Sequence, residues 1–277
     1  MSAAVASPLP RRTRIEQVDV TPELARVWLN QNTSNRPIRR PIWKSYARDM
    51  ENGSWALTAE PIKFSAAGQL LDGQHRLHAV VHANVTVTMF VAYDVPDEAQ
   101  SSMDSGAKRT AADALGLRGD AHAALIAATA RLALGVAYAP ESVGRYTATH
   151  AEIIGWIDDH PEVIDCASYI SSVRSRVKGC PPSIATYTLH ALSQIDRDAA
   201  FSFWSAISDQ VGDYPGDPVV ALARRFSEAY RERELLSHAA YLSMIYRAWN
   251  SRRGSKPLRT VKVNSPAGGL IPVPVPR

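Results

Sequence analysis

Apolar residues recur at helical spacing in the first part of the chain. Residues 20–32 open with Thr-Pro and continue with apolar residues on one side, a pattern that predicts a helix. Residues 33–41 form a basic segment broken by prolines and predict a loop. Residues 42–55 return to helical spacing and predict a short amphipathic helix that ends near Gly53. The chain is therefore expected to begin its folded part with two helices.

The next segment changes to the spacing of strands. Residues 61–65 and 69–71 predict a β-hairpin, and residues 85–95, rich in β-branched side chains, predict the best strand of the chain. Between them, "QHRLHAVVHA" (74–83) predicts a helix. The sequence "DGQHR" (72–76) therefore lies at a corner where a strand passes directly into a helix.

Helical spacing dominates from about residue 110, and one short strand is expected at 258–263. The predicted helices are 110–117, 120–138, 148–158, 161–177, 182–194, 197–210, 217–231 and 234–250. The fold class is thus α+β, with a small mixed α/β domain followed by an all-helical domain.

Four segments follow from this pattern. We expect a disordered N-terminus at 1–14, the mixed domain at 15–112, the helical domain at 113–250 and a basic Pro/Gly-rich tail at 251–277.

Charge is distributed unevenly along the chain. Residues 1–48 carry nine Lys/Arg against three acids, residues 49–234 carry fifteen against twenty-four, and residues 235–277 carry seven basic residues and no acid. Basic ends predict contact with a polyanion such as DNA, and a tail that only aids solubility is the alternative. The candidate DNA contacts are Arg39, Arg40, Arg252, Arg253, Lys256, Arg259 and Lys262.

Other composition signals narrow the class of protein. No apolar run approaches the length that spans a bilayer, and the N-terminus lacks the order of a signal peptide. The two cysteines, Cys166 and Cys180, form no C-x-x-C motif, so a disulfide framework or a zinc knuckle is not predicted. A cytoplasmic location is expected.

The corner at 72–76 carries the clearest chemistry. A helix N-terminus attracts anions, Gly73 lets a phosphate approach the backbone, and Arg76 offers a planar fork of donors. Gln74 and His75 share the same first turn, where His75 is a further donor. Asp72 fits if it holds Mg²⁺, accepts a proton or orients a hydroxyl. The alternative is structural, with Asp72 as the helix cap and Gly73 as the turn.

This corner, "LLDGQHRLHAV", resembles the signature of the ParB/sulfiredoxin-like superfamily. The helix, hairpin and motif order over residues 30–116 resembles phage and bacterial members, and "MDSGAKRTAADAL" (103–115) resembles their downstream Asp-x-Gly-x-x-Arg segment. The helical half resembles the C-terminal part of phage-encoded relatives less sharply. The resemblance implies a phage-encoded protein in a bacterial host, with ATP or CTP and Mg²⁺ as cofactors.

Members of this superfamily differ in activity, so fold membership does not decide the reaction. Gln74 stands where sulfiredoxin needs a cysteine, which excludes that activity. The corner lacks the Gly-Glu-Arg-Arg of partition proteins, and no helix-turn-helix is recognisable, so chromosome partitioning is not favoured. The Asp-Gly-x-His-Arg form is closer to kinase-like and restriction-like relatives, which favours an active site.

The resemblance points to further residues near this corner. It implies that Glu60 acts as a second acid or base, and that Asn35 and Arg36 reach a phosphate or base. Solvated surface positions are the alternative for all three. A second corner comprises Asp104, Lys108 and Arg109 and is implied to face the nucleotide, while a helix start capped by Thr110 and Asp113 is the alternative.

Three histidines, His75, His78 and His82, share one helical face but lack a spaced carboxylate partner, so a structural role is favoured over zinc.

The leading prediction is a nucleotide-binding protein that acts on or at DNA, with Asp72, Glu60 and His75 as catalytic candidates. A phosphotransferase on a small molecule or nucleoside and a non-catalytic inhibitor of a host factor are the alternatives. A nuclease is less favoured because no carboxylate cluster is evident, and homodimer formation stays open.

Overall fold

The chain divides into two compact units, unit 1 at Met1–Lys108 and unit 2 at Arg109–Arg277. Among the residues described, all strands lie in unit 1, whereas unit 2 is helical. The mixed and largely helical composition agrees with the α+β class predicted from the sequence. The computed structural model describes residues 12–33, 35, 37–96, 110–263 and 270–277.

A four-stranded sheet forms the frame of unit 1. Its strands are β1 (Arg14–Val20), β2 (Ile62–Ser65), β3 (Leu70–Asp72) and β4 (Val87–Val95), in the order β1-β4-β2-β3. β2 runs parallel to β4, and the other neighbours are antiparallel. The hairpin and the long strand predicted from the sequence are present. β1 was not predicted, because most of its residues are exposed and it therefore lacks a clear apolar alternation.

Three helices accompany this sheet: α1 (Pro22–Leu29), α2 (Arg40–Glu51) and α3 (Gln74–Ala83). Thr21 caps α1 by accepting a hydrogen bond from the backbone N–H of Leu24 at 3.2 Å. Buried side chains from helices and sheet form one core, and within it Trp28 meets Phe64 edge to face at 5.2 Å.

Unit 2 consists of eight α-helices and a short 3₁₀ helix at Pro140–Arg145 within the described residues. The α-helices are α4 (Ala111–Leu117), α5 (Ala123–Tyr138), α6 (His150–Asp159), α7 (Val163–Val173), α8 (Pro182–Ser193), α9 (Arg197–Asp209), α10 (Pro218–Glu232) and α11 (His238–Arg253). Side chains cap the starts of α4, α6, α9, α10 and α11, and Thr110 and Asp113 form a reciprocal capping box on α4.

Two predictions for this half are wrong in detail. The strand expected at 258–263 is not formed, because Leu258 and Val261 pack on the helical core instead and no neighbouring strand is available among the described residues. The basic tail expected from 251 is helical as far as Arg253, where α11 ends. None of the described helices has the length and apolarity needed to cross a bilayer.

Candidate phosphate-binding corner of unit 1

Gly73 is the N-cap residue of α3 and adopts a left-handed conformation with φ of 105°. A Cβ atom at this position would overlap the Cδ1 atom of Ile62 on β2. The position therefore needs glycine for two reasons, the backbone angle and the close approach of the neighbouring strand. The Gly73 N–H donates to Oδ1 of the preceding Asp72 at 2.6 Å, which fixes that carboxylate at the corner.

Two cations converge on the other carboxylate oxygen of Asp72. Nζ of Lys63 lies 3.2 Å and Nη2 of Arg76 lies 3.5 Å from Oδ2. The side chains are 20%, 14% and 23% exposed for Lys63, Arg76 and Asp72, so the group is partly shielded from water and carries a net positive charge. The Arg76 guanidinium also donates to the backbone carbonyls of Glu60 and, at 3.0 Å, of Pro61.

His75 and Gln74 are buried rather than solvated. Nε2 of His75 accepts a hydrogen bond from the backbone N–H of Arg39 at 3.1 Å, which places the proton of a neutral ring on Nδ1. Oε1 of Gln74 accepts from Nδ2 of Asn32 at 3.0 Å. Both side chains thus hold the segment before α2 against the start of α3.

Asn35 lies in that same segment. Its Nδ2 donates to the backbone carbonyl of Leu70 at 2.6 Å and to Oδ1 of Asn32 at 2.7 Å. The carboxamide therefore holds the segment beside β3, next to the corner. Sequence reasoning expected Asn35 near this site, and the geometry gives it a positioning contact there.

The starts of α2 and α3 share an unusual feature within unit 1. Neither has a side-chain cap or an acidic residue in its first turn, whereas α1 has both Thr21 and Glu23. The bond from Arg39, the N-cap of α2, to His75, the second residue of α3, brings these two helix starts together. Their dipoles add positive potential to that of the nearby arginines. Arg39 and Arg40 themselves are exposed.

The structure therefore groups many of the predicted site residues. Asp72, Gly73, Gln74, His75 and Arg76 form the corner; Glu60 reaches it through its backbone carbonyl, while its side chain is exposed. Lys63 was missed, because its place opposite Asp72 depends on the register of the hairpin, which the sequence pattern does not determine. Four predicted residues lie outside the described residues, namely Arg36, Asp104, Lys108 and Arg109.

Within the described ranges, no group of three or more His, Cys, Asp or Glu side chains is arranged to hold a metal ion. The Asp72 carboxylate, the predicted metal ligand, is paired with Lys63 and Arg76. The other two histidines of α3 have packing environments: burial lowers the pKa of His78, and the ring of His82 meets Trp43 at 4.7 Å.

The basic residues predicted for DNA contact in unit 2 differ in accessibility. Arg252 is only 13% exposed and pairs with Asp213 and Asp217, and Arg253 pairs with Asp196 at 2.5 Å. Trp249 is buried in the core, so it is not placed to stack on a nucleic-acid base. Lys256, Arg259 and Lys262 are exposed and lie beyond α11.

Comparison with known proteins gives no match: no family model, no curated protein and no solved structure is significantly similar to this chain. The similarity to the ParB/sulfiredoxin-like superfamily stays a prediction based on the motif residues.

Proposed function

We propose that unit 1 binds the phosphate groups of a nucleotide at the Asp72–Arg76 corner and that the protein acts on or at DNA. One observation carries this proposal: two uncapped helix starts meet through the Arg39–His75 hydrogen bond beside a glycine turn. Backbone N–H groups at a helix start and the dipole behind them favour an anion. Lys63 and Arg76 add fixed positive charge at the same place.

The cations at this corner are positioned before any ligand arrives. The carbonyls of Glu60 and Pro61 orient the Arg76 guanidinium, and Asp72 holds Lys63 and Arg76 together. An incoming phosphate would replace part of the carboxylate's role as their counter-ion. If ATP or CTP arrives with Mg²⁺, Asp72 is the carboxylate that would contact the ion, because Mg²⁺ is usually held by one or two carboxylates and the phosphates themselves.

The pairing of Asp72 favours binding over proton abstraction. A carboxylate that accepts a proton from a hydroxyl needs direct access to that hydroxyl. Here its Oδ2 atom is already shared by two cations and its Oδ1 atom accepts from Gly73. The contacts of Asp72 give it a part in holding Lys63 and Arg76, so nucleotide binding is the function we propose for the corner, with phosphate transfer as the alternative.

Contact with DNA is supported by exposed charge on each unit. Arg39 and Arg40 are exposed on unit 1, and Lys256, Arg259 and Lys262 are exposed on unit 2. Such residues neutralise backbone phosphates without reading base sequence. The ion-paired Arg252 and Arg253 are less suited to this role than sequence reasoning implied.

Calorimetric titration of ATP, CTP, GTP and ADP, each with Mg²⁺, tests the nucleotide proposal. The variants should be Lys63→Met and Asp72→Asn. Arg76→Ala is less informative because it would also remove the hydrogen bonds to the Glu60 and Pro61 carbonyls. Arg26→Met, in an exposed pair with Glu23, is the matched control for loss of one positive charge in unit 1.

We expect wild type and the Arg26 variant to bind at least one nucleotide equally well, and Lys63→Met to bind about 10-fold or more weakly. Asp72→Asn should abolish Mg²⁺ dependence and retain affinity for the phosphates. If the wild-type protein binds none of the four nucleotides at millimolar concentration, the corner is a structural turn and this proposal is wrong.

A further inference from the structure

Residues 270–277, with the sequence LIPVPVPR, run along the surface of α11 in unit 2. Four hydrogen bonds hold this segment, and each involves a backbone atom of the segment and a side chain of the helix. We name this segment the tail peptide, and the part of the α11 surface that presents Oγ of Ser243, Nε1 of Trp249 and the carboxamide of Asn250 the docking face.

Asn250 makes the most specific of these contacts. Its Nδ2 donates to the carbonyl of Val275, and its Oδ1 accepts from the N–H of Arg277, both at 2.8 Å. The single carboxamide therefore pairs with a carbonyl and an N–H that lie two residues apart in the tail peptide. Pro276, which lacks an N–H, lies between the two bonded residues.

The other two side chains of the docking face also donate to carbonyls. Oγ of Ser243 donates to Pro272, and Nε1 of Trp249 donates to Arg277, both at 2.8 Å. Ser243 and Asn250 are seven residues apart, which is about 10.5 Å along a helix. Pro272 and Val275 are three residues apart, which is about 9.3 Å in a polyproline II chain. The spacings of donors and acceptors agree.

The side chains of the tail peptide contribute little to the core. Leu270 is 59%, Val273 is 38% and Val275 is 76% exposed, whereas Val261 in the preceding segment is 4% exposed. Ile271, Pro274 and Pro276 are half-buried. The tail peptide therefore lies on the surface of unit 2 and is held mainly through hydrogen bonds of its backbone.

We propose that the docking face is a binding site for an extended, proline-spaced peptide, and that its occupant is the tail peptide of this chain. Alternating prolines stiffen such a segment before it binds and so reduce the ordering cost. Side-chain donors that meet backbone carbonyls recognise the extended conformation, as in other modes of proline-rich peptide recognition. The tail peptide can dissociate from the docking face, and a free peptide of the same sequence then binds in its place.

The test uses the full-length chain with its own tail weakened. Ile271→Asp with Pro274→Asp puts charges at two of the three half-buried positions and opens the docking face. A fluorescent LIPVPVPR peptide with a C-terminal amide is then titrated and its anisotropy followed. The opened chain should bind the peptide saturably, and the wild-type chain at least about 10-fold more weakly, because the tethered tail competes at an effective concentration on the order of millimolar.

Two further changes make the test specific for the docking face. In the opened chain, Asn250→Ala should weaken binding about 10-fold or more, since two hydrogen bonds are removed, and Asn30→Ala, an exposed amide in unit 1, should not. A peptide N-methylated at the residue equivalent to Arg277 should bind about 5-fold or more weakly to the opened chain and equally to its Asn250→Ala form.

The proposal is wrong if the opened chain does not bind the peptide at about 1 mM although its thermal unfolding is the same as that of wild type. Equal binding of the N-methylated peptide would overturn it as well. If the opened chain does not fold, amide exchange in the wild-type chain decides: exchange at Arg277 should be about 10-fold faster after Asn250→Ala, and an unchanged rate would rule out the docked state.

Discussion

The backbone N–H of Arg39 donates to Nε2 of His75 at 3.1 Å, and this bond joins the start of α2 to the start of α3. The histidine of the Asp-Gly-Gln-His-Arg motif thus satisfies a backbone donor that has no partner within its own helix. Sequence reasoning gave His75 a role at the phosphates. Its geometry gives it a positioning role, since it sets the distance between two helix starts.

Replacing His75 should therefore lower the free energy of unfolding more when the new side chain has no hydrogen-bond acceptor than when it has one. We expect His75→Leu to reduce the free energy of unfolding by about 1–3 kcal/mol, because the Arg39 N–H would be left without an acceptor beside an apolar side chain. In His75→Gln, the Oε1 atom can occupy the place of Nε2, so the reduction should be clearly smaller. Urea unfolding of both variants measures the difference, and equal reductions would show that the hydrogen bond contributes nothing.

Gly73 should be sensitive to the smallest substitution. Gly73→Ala combines a left-handed backbone with an overlap against Ile62, and we expect the free energy of unfolding to fall by about 2–4 kcal/mol. Gly68→Ala is the matched control, since Gly68 also has positive φ, 78°, but open space around its Cα. Its free energy of unfolding should fall by about 1 kcal/mol.

The overlap at Gly73 can be separated from backbone strain. Ile62→Val removes the Cδ1 atom that a Cβ at position 73 would meet. In a double-mutant cycle, Gly73→Ala should therefore cost less in the Ile62→Val background than in wild type. Additive effects would mean that the backbone angle alone demands glycine. Thermal or urea unfolding of the four proteins provides the measurement.

The corner could be predicted from sequence because its signals are local. A strand-like run, a glycine and a helical run follow one another within about fifteen residues, and each has its own period. Lys63 could not be assigned to the corner this way, because its contact with Asp72 depends on the hairpin register and the bulge between Lys63 and Phe64. Local patterns contain no information on such cross-strand pairs.

The errors in unit 2 have the same origin. The β-branched residues near 258–263 favour a strand, but a strand needs a partner, and Leu258 donates its N–H to the carbonyl of Gly216 instead. The docking of the tail peptide on α11 was not predicted either. It depends on hydrogen bonds from Ser243, Trp249 and Asn250 to backbone atoms more than twenty residues further along the chain, which only the tertiary packing determines.

Acid should destabilise unit 2 through the pair formed by the buried His190 and the partly exposed Glu162. Burial lowers the pKa of His190 from its ordinary 6.5, although the Glu162 carboxylate 3.0 Å away favours the charged ring. Burial would raise the pKa of Glu162, but hydrogen bonds from the backbone and from His190, with the charges of His190 and His160, lower it below 4.5.

The lowered pKa values of His190 and Glu162 change the stability of the fold with pH in the same direction. The unfolded chain takes up protons more readily at each group, so folding is favoured above about pH 6.5 and is weakened as the pH falls through the lowered folded pKa values. His190→Asn should remove the part of this destabilisation that begins near pH 6.5. Urea midpoints between about pH 7.5 and 4 measure it. A His190→Asn profile identical to that of wild type would contradict this assignment.

DNA binding should depend on exposed cations beyond α11 and should be tested by substitution rather than truncation. Removing residues 251–277 would delete the end of α11, the buried Val261 and the tail peptide, and so disturb the fold. Lys256→Gln, Arg259→Gln and Lys262→Gln together should weaken binding and reduce the slope of log K against log salt by up to about 2.7, or about 0.9 for each DNA phosphate that is no longer neutralised. Arg131, Arg224 and Arg231, also exposed, provide a triple Gln control with the same charge change. An equal reduction in both triple variants would attribute the effect to net charge and not to a DNA-binding surface beyond α11.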